Sequence, residues 1–316
     1  MNGGDFSTAT TPLVKVPEGV ILVKGAWASA SDPLTPVPEA ISVTNNVLSD
    51  PYFGMSYALP QGWAKGYDGP PPSDSGRYVI AQLRSEKSQL QPNKDVARGS
   101  ILITAQDLFF NPLPANNALQ FVNYTKDNLQ ADYKLEEPPM PTKIAGRPFT
   151  FFAYWSPVAE LHWYVLATEI RCHVVQIVLT SRDTNMLGSL LLDLDKMKLP
   201  VDGGPAAGTD GGAFPVCIKD YASEGNVIAR VDPVFTQHRV NPVPVRIIID
   251  KNGKVKHIHF LSAFPDQSKA VTDALFQWRF KPYMQNGKPV EVETGIMFGR
   301  ALRPTSTTHP ANVATE

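Results

Sequence analysis

The chain has 316 residues, of which 43% are hydrophobic and 19% are charged, a composition typical of globular proteins. This length exceeds the size at which one hydrophobic core usually stops growing, so the sequence predicts two domains. The formal net charge is -1, from 29 basic and 30 acidic residues, and the chain has no long basic run. These features argue against nucleic acid and anionic membranes as partners.

The N-terminal residues MNGGDFSTATTPL have neither the basic nor the apolar segment of a signal peptide. No apolar run approaches the roughly 20 residues that a membrane-spanning helix needs, so we expect a soluble chain. Leu199–Pro215 is rich in glycine and proline, which is typical of a linker. The predicted organisation is an irregular N-terminal arm (1–47), a first domain (48–200), the linker (201–215), a second domain (216–303) and a disordered tail (304–316). We expect the arm, which includes a strand-like run at Val20–Val23, to pack on the first domain.

Short runs of β-branched and aromatic residues predict strands early in the first domain: YFGMSYALP, RYVIAQLR and SILITAQDLFF. The helical spacing of apolar residues in ANNALQFVNYTKDNLQ predicts a helix. Three further strands follow: RPFTFFAYWS, ELHWYVLATEI and HVVQIVLTS. A last helix is predicted from Asp183 to Lys198, with Asp183 or Thr184 as its N-cap. This order predicts an α+β domain with a mainly antiparallel sheet.

This order of elements resembles the PsbP-like family over about residues 48–200. The entry YFGMSYALPQGW, the central helix, the strand IAGRPFTFFAYW and the terminal helix carry the resemblance. It implies an α/β/α sandwich of a kind known mainly from binding or assembly modules, and it implies a fold more than an activity.

The second domain opens with a predicted hairpin, VPVRIIIDKNGKVKHIHFLSA. Its Asn252-Gly253 pair predicts a primed turn, because both residue types tolerate a positive φ. A calcium loop beginning at Asp250 is excluded, since Leu261 occupies the position of the bidentate glutamate. A helix is predicted to begin at Pro265 and to end near Phe280, before Pro282. VEVETGIMF then predicts a closing strand with Val290, Val292, Thr294 and Ile296 on one face.

These motifs, in this order, resemble the C-terminal domain of TonB-type energy transducers over about residues 227–298. The carrying segments are VRIIIDKNGKVKHIHFLSA and AVTDALFQWRFKPYMQNGKPVEVETGIMF, preceded by the proline-containing VDPVFTQHRV. The resemblance implies a sheet of about three antiparallel strands with a helix packed on one face. It also implies a periplasmic or secreted domain that captures an extended peptide, the TonB box of an outer-membrane transporter, at the edge of the last strand. Backbone pairing explains such capture, because an edge strand carries unpaired N–H and C=O groups.

Carried over by position, the resemblance implies a partner-binding set in the last strand and the lead-in: Val290, Glu291, Val292, Glu293, Thr294, Gly295, Ile296, Asp232, Pro233 and Phe235. The alternative is that Val292 and Ile296 are core residues and that Glu291 and Glu293 blunt the edge. A full transducer also has a membrane anchor and a long proline-rich spacer, and we expect neither here, so the resemblance implies recognition more than force transmission.

Other chemistry has little support in the sequence. Cys172 and Cys217 are expected to be separate thiols, although the sequence does not exclude a disulfide between them. His257 and His259 share a strand face but match no metal motif, and no catalytic or nucleotide-binding motif occurs, so we expect no metal, no cofactor and no enzymatic activity. Trp155 and Trp163 lie in an aromatic concentration that packing explains, with a ligand groove as the alternative.

Together with the absence of catalytic motifs, the resemblance to TonB-type transducers implies a non-enzymatic cell-envelope protein that recognises a protein partner, with TonB-dependent energised transport as the process to which it could be linked. The alternative function is a ligand-binding or assembly module that uses the PsbP-like domain. An enzyme would require acids and bases of both domains to converge in a deep cleft.

Overall fold

The computed structural model describes residues 26–29, 38, 41–67, 75–85, 99–200, 214–223, 225–236 and 241–299. They form two α+β domains built on mainly antiparallel sheets, as the sequence predicts. Most of the predicted linker, the run Val20–Val23 and the predicted tail lie outside the described residues. No helix within the described ranges is long and apolar enough to cross a membrane.

The N-terminal domain is a seven-stranded antiparallel sheet with helices on both faces. Its strand order is β5-β6-β7-β11-β10-β9-β8, and β2, β3 and β4 form a separate small sheet. In chain order the elements up to Lys196 are β1 (Ala26–Ser29), β2 (Ser42–Thr44), β3 (Val47–Asp50), β4 (Met55–Ala58), β5 (Trp63–Tyr67), β6 (Arg77–Ser85), β7 (Gly99–Asp107), α1 (Ala118–Asp127), β8 (Lys134–Ile144), β9 (Arg147–Ser156), β10 (Leu161–Ile170), β11 (His173–Ser181), α2 (Thr184–Asp193) and a 3-10 turn (Leu194–Lys196).

The two faces of this sheet carry separate cores. Val122 of α1 packs with Phe152 and Val165 on one face, whereas Leu187 of α2 packs with Phe151 and Leu166 on the other. As predicted, Asp183 caps α2, with its carboxylate accepting a hydrogen bond from the Asn185 N–H at 2.9 Å. β8 was not predicted because it contains three prolines. Its position at the edge of the sheet explains why they are tolerated, since an edge strand needs donors on one side only.

The C-terminal domain is a five-stranded sheet in the order β1-β15-β14-β19-β12. Its remaining elements are β12 (Val216–Cys217), β13 (Val227–Ala229), β14 (Val243–Ile249), β15 (Val255–Phe260), α3 (Pro265–Leu275), β16 (Arg279–Phe280), β17 (Tyr283–Gln285), β18 (Lys288–Val290) and β19 (Val292–Phe298). α3 covers one face, where Val271 and Leu275 pack in one core with alternate residues of the central strands. The β14–β15 hairpin and the start of α3 at Pro265 agree with the sequence prediction.

Both outer strands of this sheet come from unexpected parts of the chain. β1 pairs antiparallel with β15, so this part of the arm joins the second domain, whereas the arm was predicted to pack on the first. β12 pairs parallel with β19 on the opposite edge. The sheet therefore has five strands where about three were expected, because one short segment is added at each edge.

Two local predictions in the second domain need correction. α3 ends at Leu275, earlier than Phe280, and Trp278 and Phe280 are both buried. In a helix, residues two apart point to nearly opposite sides, whereas an extended segment places both on one face. The hairpin turn is not of the primed type, because only Gly253 has a positive φ, of 77°. The Asp250 carboxylate closes the turn by accepting from Asn252 N–H at 2.9 Å and from Lys254 N–H at 2.8 Å.

Candidate functional site

The predicted partner strand, β19, is partly covered within its own chain. It pairs along its whole length with β14. On its other side, Val216 N–H donates to Glu291 O at 2.8 Å and Ile218 N–H donates to Glu293 O at 3.1 Å. The expected free edge is therefore occupied at its start.

Farther along β19, backbone peptide groups on this side of the strand point away from the sheet. Leu261 N–H donates to Pro244 O at 3.1 Å, so the peptide groups of Pro244 and Arg246 face β15. By antiparallel alternation, Gly295 and Met297, which lie opposite them, direct their peptide groups away from β14. β12 ends at Cys217, which pairs with Glu293. Within the described ranges, no strand pairs with β19 at Gly295 and Met297.

The side chains of the predicted strand residues divide between two faces. Val292 and Thr294 are buried on the α3 side, and Ile296 packs against the same core. The side chains of Val292 and Ile296 are therefore core residues, as the alternative interpretation had it. Only the backbone of these residues is available to the strand edge. Val290 belongs to β18, where it pairs with Tyr283 and not with a neighbour in the main sheet.

The alternative interpretation held that Glu293 blunts the edge. It does not, because this residue is only 2% exposed. It points to the other face of the sheet, against the N-terminal domain. There the carboxylate accepts from Tyr52 Oη at 3.0 Å and from Arg246 Nη2 at 2.8 Å. Glu291 is half-buried and forms an ion pair with Lys256 at 2.9 Å.

Glu293 belongs to a buried charged group between the domains, the interdomain cluster, formed by Asp107, Arg171, His173, Arg246 and Glu293. Arg246 donates to the Asp107 carboxylate, and its Nη1 lies 3.1 Å from His173 Nε2. Arg171 Nη2 lies 3.6 Å from Glu293 Oε2. Two guanidinium groups thus balance two carboxylates, as buried charges require.

The cluster fixes its own protonation states at neutral pH. Burial and the nearby Arg246 charge hold the pKa of His173 well below its ordinary value, so the imidazole is neutral. Burial would raise the pKa of Glu293, but the charges of Arg246 and Arg171 outweigh it and lower the pKa. Burial likewise raises the pKa of the Tyr52 hydroxyl, which stays a hydrogen-bond donor.

This cluster combines acids of both domains with a histidine of the N-terminal domain, and the cavity beside it is small. The adjoining cavity, lined in part by Tyr52, Arg246 and His257, has a volume of about 10 Å³. That is roughly the minimum for one water molecule. Among the described residues, no group of three or more His, Cys, Asp or Glu side chains could hold a metal ion. The arrangement therefore fits domain docking.

Cys172 and Cys217 form a disulfide, with Cα atoms 5.3 Å apart, where separate thiols were expected. The fold brings together two cysteines that are 45 residues apart in the chain. Cys172 and Arg171 form the two-residue turn between β10 and β11, with φ values of 61° and 47°. Such positive values are uncommon without glycine or asparagine, so tertiary contacts must hold this turn. Arg171 supplies one of them by donating to Tyr52 O at 3.1 Å.

The lead-in residues Asp232, Pro233 and Phe235 do not join the β19 edge through any described hydrogen bond. The preceding strand, β13, pairs with β16. Val231 O accepts from Trp278 Nε1 at 2.7 Å, which places this segment beside the end of α3. Asp232 and Phe235 are exposed there. The structure thus divides the predicted partner-binding set between two locations.

Trp155 and Trp163 cannot line one groove, because they lie on opposite faces of the sheet. Trp155 is paired with His162 in the register of β9 and β10, and Trp163 is paired with Tyr154. Adjacent residues of a strand point to opposite faces. Trp155 stacks on His162 at 5.7 Å, and Trp163 stacks on Tyr154 at 5.1 Å. Packing with neighbouring rings thus accounts for both side chains.

Sequence reasoning found the strand but missed the residues beneath it: Tyr52, Asp107, Arg171, His173 and Arg246. One signal was available in VPVRIII, whose seven residues are all buried. A strand buried on both faces has a nearly continuous apolar sequence, so the single arginine in this run could have indicated a buried partner.

One comparison with known proteins agrees with the resemblance of the second domain. Residues 240–299 match the family model of the Gram-negative bacterial TonB protein C-terminal, a family that is non-catalytic. The solution structure of cyanobacterial PsbP (CyanoP) from Synechocystis sp. PCC 6803 is similar at 16% identity and a TM-score of 0.34, covering 49% of this chain and 91% of that chain. At that TM-score the likeness supports no statement about function. No curated protein sequence gives a significant match.

Proposed function

We propose that the protein is a non-enzymatic cell-envelope protein that recognises a protein partner by strand addition at the edge of β19. One observation carries the proposal: Gly295 and Met297 direct their peptide groups outward from a strand within the TonB C-terminal match. Unpaired peptide groups at a sheet edge are satisfied by an extended partner chain. TonB-family proteins belong to the cell envelope, which supports the proposed compartment.

The surroundings of this edge favour a peptide over a bulky folded surface. Phe109 and Phe110 of the N-terminal domain lie next to Gly295, where an added Cβ would be 2.5 Å from Phe109 Cβ. Both rings are half-buried. Because they lie beside Gly295, one of the two residues with outward peptide groups, they would offer an apolar contact to a side chain of an extended chain. The TonB box of an outer-membrane transporter has this extended character, and its capture would link the protein to energised transport.

The proposal is tested by titrating the ¹⁵N-labelled full chain with a synthetic TonB-box peptide and following backbone amides by NMR. We expect the largest shifts at Gly295 and Met297. Met297→Pro removes one outward N–H, which an edge strand tolerates, and should weaken binding at least about tenfold through a lost hydrogen bond. Met297→Leu keeps this N–H and serves as the control. Unshifted amides at saturating peptide, or equal affinities of the two variants, would contradict the proposal.

A further inference from the structure

β12 occupies the same edge that the proposed function assigns to a partner. It pairs with β19 at Val292 and Glu293, directly before the open peptide groups. We propose that β12 is a built-in competitor for the partner and that the Cys172–Cys217 disulfide holds it in place. Thiol–disulfide exchange would then extend the accessible edge from Gly295 back to Glu291. This inference rests on the proposed function, because it concerns the regulation of that same edge.

The pairing of β12 is too small to be stable without further restraint. β12 has two residues and donates to β19 through the amides of Val216 and Ile218. Thr294 Oγ1 also donates to Lys219 O at 3.1 Å and so joins the segment to β19. Val216 and Ile218 are only partly buried. Segments with few apolar contacts and exposed backbone hydrogen bonds open locally at low free-energy cost.

Two anchors on either side of Ile218 restrain this segment. Tyr221 follows it and is 4% exposed within the core of the C-terminal domain. Cys217 is bound to Cys172, which is 5% exposed in the β10–β11 turn of the N-terminal domain. Breaking the disulfide removes the second anchor and leaves the first. β12 would then detach while the domain core stays folded.

The disulfide is open to attack from one side. Cys217 is an exposed residue, whereas Cys172 is buried. A thiolate of a dithiol reductant attacks Cys217 Sγ, and Cys172 leaves as a thiolate that takes up a proton. The second thiol of the reductant then attacks the mixed disulfide and releases the Cys217 thiol. The protein gains two electrons and two protons, and the dithiol becomes a disulfide.

Hydrogen exchange of the full chain, oxidised and then reduced with dithiothreitol, tests the release of β12. On reduction, we expect the Val216 and Ile218 amides to exchange at least about tenfold faster, as local opening predicts. The Ile247 amide, in the central strand β14, reports whether the core stays folded. The double variant Cys172→Ser/Cys217→Ser should reproduce the change without reductant. Equal exchange of Val216 and Ile218 in both states would overturn the proposal, as would an equal acceleration at Ile247.

Competition at the edge is tested with a fluorescent peptide that copies residues 214–220 with serine in place of cysteine, FPVSIKD. Ile218→Pro removes one of the two amides that hold β12, and Ile218→Val retains it. In reduced protein we expect the proline variant to bind the peptide at least about tenfold more tightly than the valine variant, since the internal competitor is weakened. Equal affinities would contradict the competition.

The two proposals fail in different ways. If the TonB-box peptide shifts Gly295 and Met297 equally in oxidised and reduced protein, with unchanged exchange at Ile218, only the regulation is wrong. If Ile218 is released on reduction but neither peptide binds the opened edge, partner recognition at β19 is wrong.

Discussion

Arg246 lies in the middle of a strand whose other residues are apolar. It is 2% exposed, and its guanidinium contacts Asp107 of the N-terminal domain and Glu293 of its own sheet. Replacing a buried ion pair as a whole can cost little, but removing one partner leaves an uncompensated buried charge. Arg246 therefore stabilises the contact between the domains only as part of the complete cluster.

Replacing Arg246 with methionine, which is of similar length, should lower the free energy of unfolding by about 3–5 kcal/mol. Asp107 and Glu293 would both remain buried with less compensation. Lys269→Met is the matched control, because Lys269 forms an exposed ion pair with Asp273 at 2.6 Å, with 76% of the Lys269 side chain accessible. Urea unfolding measures both variants. A loss of less than about 1 kcal/mol for Arg246→Met, the size expected of a surface pair, would contradict this account.

His173 should make the stability of the protein fall as the solution is acidified. Its pKa in the folded protein is well below the ordinary value of 6.5, because the ring is buried beside Arg246. Below pH 6.5 His173 binds a proton in the unfolded chain, whereas the same ring stays neutral in the folded protein. Stability is then lost at up to about 1.4 kcal/mol per pH unit. Glu293 does not contribute to this slope, since its lowered pKa matters only below its ordinary value of 4.5. Asp107, whose pKa is raised by burial, opposes the loss, because the folded protein protonates this carboxylate before the unfolded chain does.

The pH effect is measured by urea unfolding between pH 7.5 and 5.5. His173 Nδ1 lies 2.7 Å from Arg171 O, and His173→Asn keeps a donor near that position while removing the titrating ring. This variant should be less stable at pH 7.5 but should show a shallower slope. An unchanged slope in His173→Asn would mean that other groups cause the pH dependence.

At the scale of elements, β19 is the strand on which the two domains meet. One face packs toward α3, and the other carries Glu293 and Gly295 against the N-terminal domain. Gly295 is the point of closest approach, with no room for a side chain beside Phe109 and Phe110. A strand buried on both faces leaves only its edge for a partner.

Gly295→Ala should therefore destabilise the protein by about 1–3 kcal/mol, the usual cost of overpacking. The added Cβ would lie 2.5 Å from Phe109 Cβ. Gly188→Ala is the opposite control, because Gly188 lies inside α2 with nothing within 4 Å of the added Cβ. That change should stabilise the protein by up to about 1 kcal/mol. Thermal unfolding of both variants measures the difference, and a Gly295→Ala variant as stable as Gly188→Ala would show that the approach to Phe109 relaxes freely.

Most elements could be predicted because their signals are local. The β14–β15 hairpin and the N-cap of α2 follow from turn residues, capping residues and spacing within a few positions. β1 and β12 have only four and two residues, and pairing decides their structure. No local pattern shows that Ala26–Ser29 joins a strand more than two hundred positions away.

The strand that carries the candidate site could be predicted from the sequence, but the residues that cover this strand could not. The motifs located β19 correctly, because they resemble a family with a known order of elements. They could not show that Glu293 faces inward, since alternation alone gives two faces and does not say what covers the second. The covering residues Tyr52 and Asp107 belong to the other domain, and only the tertiary fold brings them to β19.

At the scale of the whole molecule, the two domains are joined by contacts of different kinds. The interdomain cluster buries opposite charges, the disulfide links the β10–β11 turn to β12, and β1 brings part of the arm to the second sheet. If one domain unfolds, the charged groups of the other lose their partners across the interface. Docking therefore contributes to the stability of both, and the domains should not unfold independently.

Native-state hydrogen exchange of the oxidised full chain tests this coupling. Ile177 of β11 and Ile247 of β14 are both 0% exposed, each in the core of its own domain. Their amides should exchange with unfolding free energies that agree within about 1 kcal/mol, since only global unfolding exposes them. Arg246→Met should separate the two values, with a larger fall at Ile247, because the C-terminal sheet loses the compensation of Glu293 and its docked second face. Widely different values in the unmodified protein, unaffected by Arg246→Met, would mean that the domains unfold independently.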